Sequence, residues 1–274
     1  MTYLSRIRIN PLRAESRRLL SNPRALHGAV MGGVPGAADA ERLLWRLDAD
    51  DPHRPHLFVL TRSKPDWTHI VEQAGWPDAD GEHAAVRDYA PLLDQIATGR
   101  EFAFRLTANP VQNSAAPVKP TATQRSRLDA STEDQRVRGF RLAHRTAAAQ
   151  LDWFLKRTER WGFTVPEART DPPATGFLPP PVVGFLAPPA AEPDPRPEAS
   201  ATAREVRITD RNRHSFVKNG RGPRVTFHTA TFEGRLRVAD PDVFTARLLG
   251  GIGPSKAYGC GLLTLAPLPG SLGS

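Results

Sequence analysis

A chain of 274 residues can bury one large core or two ordinary ones, and its single cysteine excludes a disulfide scaffold or a cysteine-based zinc site and points to a reducing compartment. No apolar run approaches membrane-span length and the first ten residues alternate rather than forming a signal core, so a soluble, cytoplasmic protein with no membrane partner is expected. The net charge of +8 is almost all arginine and is unevenly placed: residues 1–100 hold 13 Lys+Arg and 13 Asp+Glu, residues 101–274 hold 24 and 16, as if one region bore a phosphate-binding surface.

Met1–Ile9 alternates as a strand, with Tyr3, Ser5, Ile7 and Ile9 on one face, and Asn10-Pro11 ends it. A helical segment with Leu12, Leu19 and Leu20 follows. Asn22 as N-cap and Pro23 at the first helical position then start a second helix, closed by Gly32, Gly33, Pro35 and Gly36, which places His27 within two turns of its N-terminus. Strands are predicted at Arg42–Leu47 and His56–Arg62, a short helix from Pro65-Asp66-Trp67 to about Ala74, and a strand near Ala85–Ala90. This β-α-β-β-α-β order is the ferredoxin-like pattern.

A second cycle begins at Phe102–Leu106, which Asn109-Pro110 ends. A long helix is predicted from about Glu133 to Trp161, its seam made by Val137, Phe140, Ala147, Leu151, Phe154 and Trp161, with Arg138, Arg141, Arg145, Lys156 and Arg160 largely off it. A strand near Phe163–Pro166 leads into a segment with eleven prolines between Pro166 and Pro197, read as an extended insertion over about 166–200. Strands resume at Arg204–Ile208 and Arg224–Val238, where the change of parity from Val225 and Phe227 to Phe232, Leu236 and Val238 suggests a slip near Gly234. Asp240-Pro241 opens a helix to Leu249, and Leu262–Leu265 is the last strand. The fold class expected is α+β: two tandem ferredoxin-like (RRM-like) domains, 1–97 and 98–274, the second carrying the Pro-rich insertion, a basic hairpin at about 204–224 and a Gly-rich C-terminal loop.

The most specific local pattern is Gly250-Gly251-Ile252-Gly253-Pro254-Ser255-Lys256-Ala257-Tyr258-Gly259-Cys260-Gly261. Backbone N–H groups at Gly251, Gly253 and Ser255 together with the Lys256 ammonium can hold a phosphodiester; a plain glycine-dense turn is the other reading. It is no Walker loop, because Gly-x-x-x-x-Gly-Lys-Ser/Thr is absent. His53 and His56 sit in a turn-like segment that offers no zinc spacing and are read as loop residues, so neither metal nor cofactor is expected. Trp45, Trp67, Trp153 and Trp161 fall in apolar patterns and are core candidates, and Cys260 fits a site with room for only a small side chain.

In their order along the chain, Ile9-Asn10-Pro11, Ser21-Asn22-Pro23-Arg24-Ala25-Leu26-His27, Leu43-Leu44-Trp45-Arg46-Leu47, Pro65-Asp66-Trp67, Phe104-Arg105-Leu106-Thr107-Ala108-Asn109-Pro110, Phe232-Glu233-Gly234-Arg235-Leu236 and the Gly-rich segment with Lys256 resemble the CasE family, the CRISPR precursor-RNA endoribonucleases of subtype I-E Cascade complexes. The resemblance implies tandem RRM-like domains, metal-independent cleavage of the repeat RNA beside its stem-loop, and retention of the product with the other Cascade subunits. It also turns the reading of His27 from a hydrogen-bonded helix histidine into a catalytic candidate.

RNA is cut without metal when a base takes the 2′-hydroxyl proton, the oxygen attacks the adjacent phosphate and an acid protonates the leaving 5′-oxygen; a histidine serves either role near neutral pH. A helix N-terminus favours its neutral form. Arg24, one turn earlier, can stabilise the charge of the transition state, assisted by Lys256; some relatives carry tyrosine at the position of Arg24, which leaves the second role open. The basic segment with Arg204, Arg207, Arg211, Arg213, Lys218, Arg221 and Arg224 can straddle an RNA stem, whereas no RNP1 signature for base stacking is present. His214 is a further candidate for phosphate contact. A hairpin-binding subunit that does not cut is the alternative function, and a duplex-DNA regulator, suggested by charge alone, a third.

Overall fold

A computed structural model describes residues 1–36, 43–79, 81–114, 125–126, 139–168, 203–217 and 224–268. The first half contains β1 (Tyr3–Arg8), α1 (Ala14–Ser21), α2 (Pro23–Gly32), β2 (Leu44–Asp48), β3 (His56–Thr61), α3 (Thr68–Ala74) and β4 (Ala84–Asp88). Its sheet is antiparallel in the order β2-β3-β1-β4. The expected alternation holds, since Ser5, Ile7 and Ile9 are all buried, the last two against Leu26, Val30, Trp45, Val59, Trp67 and Ile70. Asn22 caps α2 as expected, its Oδ1 accepting from Arg24 N at 3.0 Å, and Pro23 stands at the first helical position, where no N–H is missed.

A short helix, α4 (Ala90–Leu93), leads to β5 (Glu101–Ala108), β6 (Val111–Ser114), β7 (Phe140–Ala143), α5 (Ala147–Leu155), β8 (Phe163–Thr164), β9 (Val206–Val217), β10 (Arg224–Val238), α6 (Pro241–Gly250) and β11 (Leu263–Ala266). The second sheet runs β11-β5-β10-β8, with β9 paired to β10 as a long ribbon. Counting β5, β8, β10 and β11 as its first to fourth strands, this order repeats that of the first sheet. The core here is aromatic: Phe154 stacks on Phe232 at 4.6 Å and on Phe104 at 5.7 Å, with Trp153, Trp161, Phe163 and Phe244 around them. Such pairs add about 0.5–1.5 kcal/mol each beyond burial.

Three expectations are corrected. The helix predicted from Glu133 to Trp161 is confined to Ala147–Leu155: Phe140–Ala143 is a strand paired with β6, and Trp161 ends a separate 3-10 turn, Glu159–Trp161. Thr146 stops the helix N-terminally, because its hydroxyl accepts from Ala149 N at 3.2 Å and so serves as an N-cap. Strand β10 has its irregularity near Gly234 but not at it, in the pairing with β9 between Thr231 and Phe232. It pairs with β5 without interruption from Ala230 to Arg237, and the irregularity lies on β9, where Thr209 has no partner between Ile208↔Phe232 and Asp210↔Thr231. The parity changes because different neighbours cover the two faces of β10: Phe227 packs with Phe216 and Cys260, and Phe232 packs in the main core. Gly234 answers to close approach, since a Cβ there would lie 2.0 Å from the Glu205 carbonyl oxygen. His56, read both as the start of a strand and as a loop residue, is the first residue of β3, which retires the loop reading. Most of the Pro-rich segment, 169–202, lies outside the described residues.

The halves meet through Leu44, Leu60, Tyr89 and Leu262, flanked by Leu4, Phe58, Leu92, Leu93 and Leu249. Arg46, 2 % exposed, crosses this contact from β2. Its guanidinium holds Asp48 by two hydrogen bonds at 2.6 and 2.8 Å and donates to the carbonyls of Arg105 (2.8 Å) and Leu262 (3.2 Å) in the other half.

Candidate active site

His27 lies on α2, half-buried, with Nδ1 out of solvent and without a partner among the described residues. Loss of solvent around the ring holds the imidazole below the ordinary histidine value, so the neutral form dominates at neutral pH. Arg24, one turn earlier on the same helix, is exposed. Both α2 and β2 pack on the 3-10 turn Lys256–Tyr258, so the structure brings the His27 helix of the first half to the Gly-rich segment of the second.

That segment is held at several points. Ile252 N donates to Gly261 O at 2.9 Å and Gly261 N to Thr107 O at 2.8 Å, tying both of its arms to β5. Gly251 has φ +74°, and a Cβ there would meet Leu44 at 2.5 Å and Lys256 Cε at 3.2 Å; glycine lets the lysine stem lie across the chain while Nζ donates to Gly250 O. Gly253 and Ser255 follow at φ +75° and +64°. Ser255 is the one non-glycine among the described residues with positive φ, and buried Asn109 at the end of β5 donates to its hydroxyl at 2.8 Å.

The basic hairpin is longer than expected, and its arginines divide. Arg204 precedes β9 and donates to Val165 O at 3.2 Å, and Arg207, 78 % exposed, faces Glu233 at 3.4 Å. Arg211 reaches Gln150 Oε1 at 2.8 Å and the Arg145 carbonyl. Arg213 and Arg224 are exposed, opposite His228 and Val217 respectively. Lys218 and Arg221 lie outside the described residues. By register, Asp210, Asn212 and His214 share one face of the ribbon, and Arg211 and Arg213 the other. His214, raised as a phosphate contact, stacks on Phe227 at 4.9 Å with Nε2 3.2 Å from Thr229 Oγ1.

Sequence reasoning missed three groups. Arg145, seen only as an off-seam helix residue, joins the ribbon: after burial, the charges of Arg145, Arg213 and Arg211 hold the His228 imidazole down, which marks one electropositive patch. Arg46 sits where strand alternation expects a solvent face. Arg105 meets Asp50 (2.6 Å), Glu233 (2.9 Å) and Asp48 (3.5 Å). Only structure reveals that the other half of the chain covers these strands. Among the described residues no group of three or more His, Cys, Asp or Glu side chains is placed to hold a metal ion, and no helix is long and apolar enough to cross a membrane.

Comparison with known proteins agrees with this architecture. The family model described as "CRISPR associated protein" matches residues 2–267. The chain is 28% identical over 268 residues to the CRISPR-associated endoribonuclease Cse3 of Thermus thermophilus, covering 97% of this chain and 100% of that one. It is 26% identical over 228 residues to the CRISPR system Cascade subunit CasE of Escherichia coli, covering 82% and 89%. The structure of Thermus thermophilus Cse3 bound to an RNA representing a pre-cleavage complex superimposes with a TM-score of 0.65 at 26% identity, covering 97% and 99%. With a mixed α+β fold that matches Cse3 over nearly its whole length, the chain belongs to the Cse3/CasE family of CRISPR-associated endoribonucleases.

Proposed function

We propose that this protein cuts CRISPR precursor RNA at the repeat stem-loop without a metal ion, giving mature guide RNA, and stays bound to its product as a subunit of Cascade. The observation that carries the reading is the seating of the His27 helix on the Lys256–Tyr258 turn across the two halves. The repeated sheet order supports reading the halves as tandem ferredoxin-like domains, 1–97 and 98–274, with the Pro-rich segment inserted in the second.

In this mechanism the RNA stem lies on the patch of Arg145, Arg211 and Arg213, and Arg204, Arg207, Lys218, Arg221 and Arg224 extend the phosphate contacts. Gly253 and Ser255 present backbone to the scissile phosphodiester, whereas the Gly251 N–H, expected to join them, is buried and donates to Arg247 O at 2.8 Å to close α6. Neutral His27, kept so by burial, takes the 2′-hydroxyl proton. The 2′-oxygen bonds to phosphorus, the bond from phosphorus to the 5′-oxygen breaks, and that oxygen takes a proton from water as it leaves. The products are a 2′,3′-cyclic phosphate and a 5′-hydroxyl. Arg24 and Lys256 stabilise the charge that builds on the phosphoryl oxygens.

Repeat RNA incubated with the protein in excess EDTA is the test, with His27→Ala and a 2′-deoxy scissile nucleotide as controls. Cleavage that persists in EDTA and is lost with either substitution is expected. Cleavage that vanishes in EDTA, or survives both substitutions, overturns the chemistry. Tight hairpin binding with no cutting by the wild type favours a non-cleaving structural subunit instead.

A further inference from the structure

Between the halves, beside the His27 helix, lies a cavity of about 540 Å3, within the range of about 300–1,000 Å3 usual for small-ligand sites. One wall is apolar, with Leu20, Trp45 and Leu47; the facing wall is polar, with Thr209, Asp210 and Asn212 from β9. We propose that this cavity takes one unstacked nucleobase of the RNA, from a nucleotide next to the scissile phosphate. The inference rests on the endoribonuclease reading and adds a specificity site to it.

Two independent features point to a base. The cavity shares its rim with both sides of the catalytic pair: Pro23 and Leu26 are the neighbours of Arg24 and His27, and Tyr258 belongs to the turn of Lys256. A phosphate held there therefore puts its flanking nucleotide within reach. Second, the β-bulge falls on the polar wall. Thr209 is the unpaired residue and the register shift turns Asp210 to the face of Thr231; bulges next to sites re-aim side chains in this way. Trp45, 2 % exposed, belongs to the apolar wall.

The charges decide between backbone and base. Asp50 on this lining is already paired with Arg105, so the remaining carboxylate is that of Asp210, which repels a phosphate and accepts a hydrogen bond from an amino group. Asp210 already accepts from Asn212 at 2.6 Å, which holds its carboxylate in place. Proteins read single-stranded RNA by packing splayed bases on aromatic or apolar faces and bonding their edges, the combination these two walls offer. The base should carry an exocyclic amino group, so uracil is disfavoured.

The test uses the full chain and repeat hairpins carrying an abasic site, or uracil, at each unpaired nucleotide flanking the cut, with Kd and single-turnover rate measured for each. One abasic position should lower affinity or rate about tenfold, the scale of a lost base contact. Thr209→Trp, which fills the cavity, should lower binding of intact RNA by a similar factor and abolish the abasic effect; Asp210→Asn, which is isosteric, should reduce the preference for an amino-bearing base over uracil. Intact and abasic RNAs behaving alike at every position, or an undiminished abasic effect in Thr209→Trp, overturns the site and leaves the endoribonuclease reading standing. Failure to bind or cut intact RNA overturns both.

Discussion

Strand β1 ends at Asn10-Pro11 and strand β5 at Asn109-Pro110, and the two asparagines are used differently. Asn10 Oδ1 accepts from Leu12 N at 3.0 Å, a local turn that leads the chain into α1. Asn109 is 6 % exposed, and its amide reaches across 146 residues of sequence to the hydroxyl of Ser255. The difference runs through the molecule. In the first half, short-range signals, a turn and a capped helix, place His27. In the second, the Gly-rich segment is placed by contacts from distant strands, β5 above all. On the proposed function the first half supplies the chemistry, and the second supplies the grip and the frame.

The sharpest way to break that division is at His27. His27→Ala should lower single-turnover cleavage by about 10²–10⁴-fold while hairpin Kd stays within twofold; equal losses in both would mean that the first half binds rather than cuts. The same group sets a pH dependence. Its folded value lies below the ordinary 6.5, so as a base it keeps its activity through pH 7 and loses it only as pH falls below 6.5. Stability follows the same sign. Below 6.5 the unfolded chain takes up a proton that folded His27 refuses, so its contribution is complete above 6.5 and declines on acidification through the folded value. Urea midpoints measured at pH 8 and pH 5 should fall in that order, with less change in His27→Gln.

The contact between halves comes next. Arg46→Leu removes a buried cation from Asp48 and from two carbonyls of the second half, and should cost about 3 kcal/mol, the scale for breaking a buried pair by removing one partner. A change within 0.5 kcal/mol in urea unfolding, on the order of a surface substitution, would mean that the halves are held by their apolar contact alone.

These cases also mark what a reader of the sequence can see. The first half was legible because its signals are local: alternation in β1, the Asn22-Pro23 cap, Gly32-Gly33 after α2. The aromatic residues of the second half were recognisable as core, but their helix was overextended, since Phe140 keeps a helical spacing to Ala147 while lying in a strand. His27 and Lys256 were found through the order of motifs, and nothing in their spacing says that they belong to facing elements. Arg46 was invisible as a buried residue, because alternation cannot show that a distant part of the chain covers a strand's polar face. Ser255 gave no warning either, for a left-handed backbone is signalled by glycine and not by serine.

Ser255 tests how far the frame matters. Asn109→Ala removes the bond that holds a non-glycine residue at φ +64°, a conformation that costs on the order of 1 kcal/mol. Cleavage should fall about tenfold, on the order of one lost buried hydrogen bond, with Kd nearly unchanged. Ser255→Gly, which needs no such hold, should restore most of the rate in the Asn109→Ala background. Loss without rescue would place Asn109 in the general stability of β5 rather than in the frame.

The smallest effect separates grip from structure within the ribbon. Arg211 bonds Gln150 and the Arg145 carbonyl, whereas Arg213 is exposed and its side chain makes no hydrogen bond to another described residue. Arg213→Ala should therefore weaken hairpin binding only a few-fold, reduce the slope of log K against log salt by about one phosphate contact, and leave the urea midpoint unchanged. Arg211→Ala should lower both binding and stability, because Gln150 and the Arg145 carbonyl lose a partner together. If the two variants change the salt slope equally and neither changes stability, the patch is a diffuse field in which no arginine is committed to the fold. If Arg213→Ala alone leaves the slope untouched, the RNA lies on the other face of the ribbon, and the division between grip and chemistry must be redrawn around Asp210, Asn212 and His214.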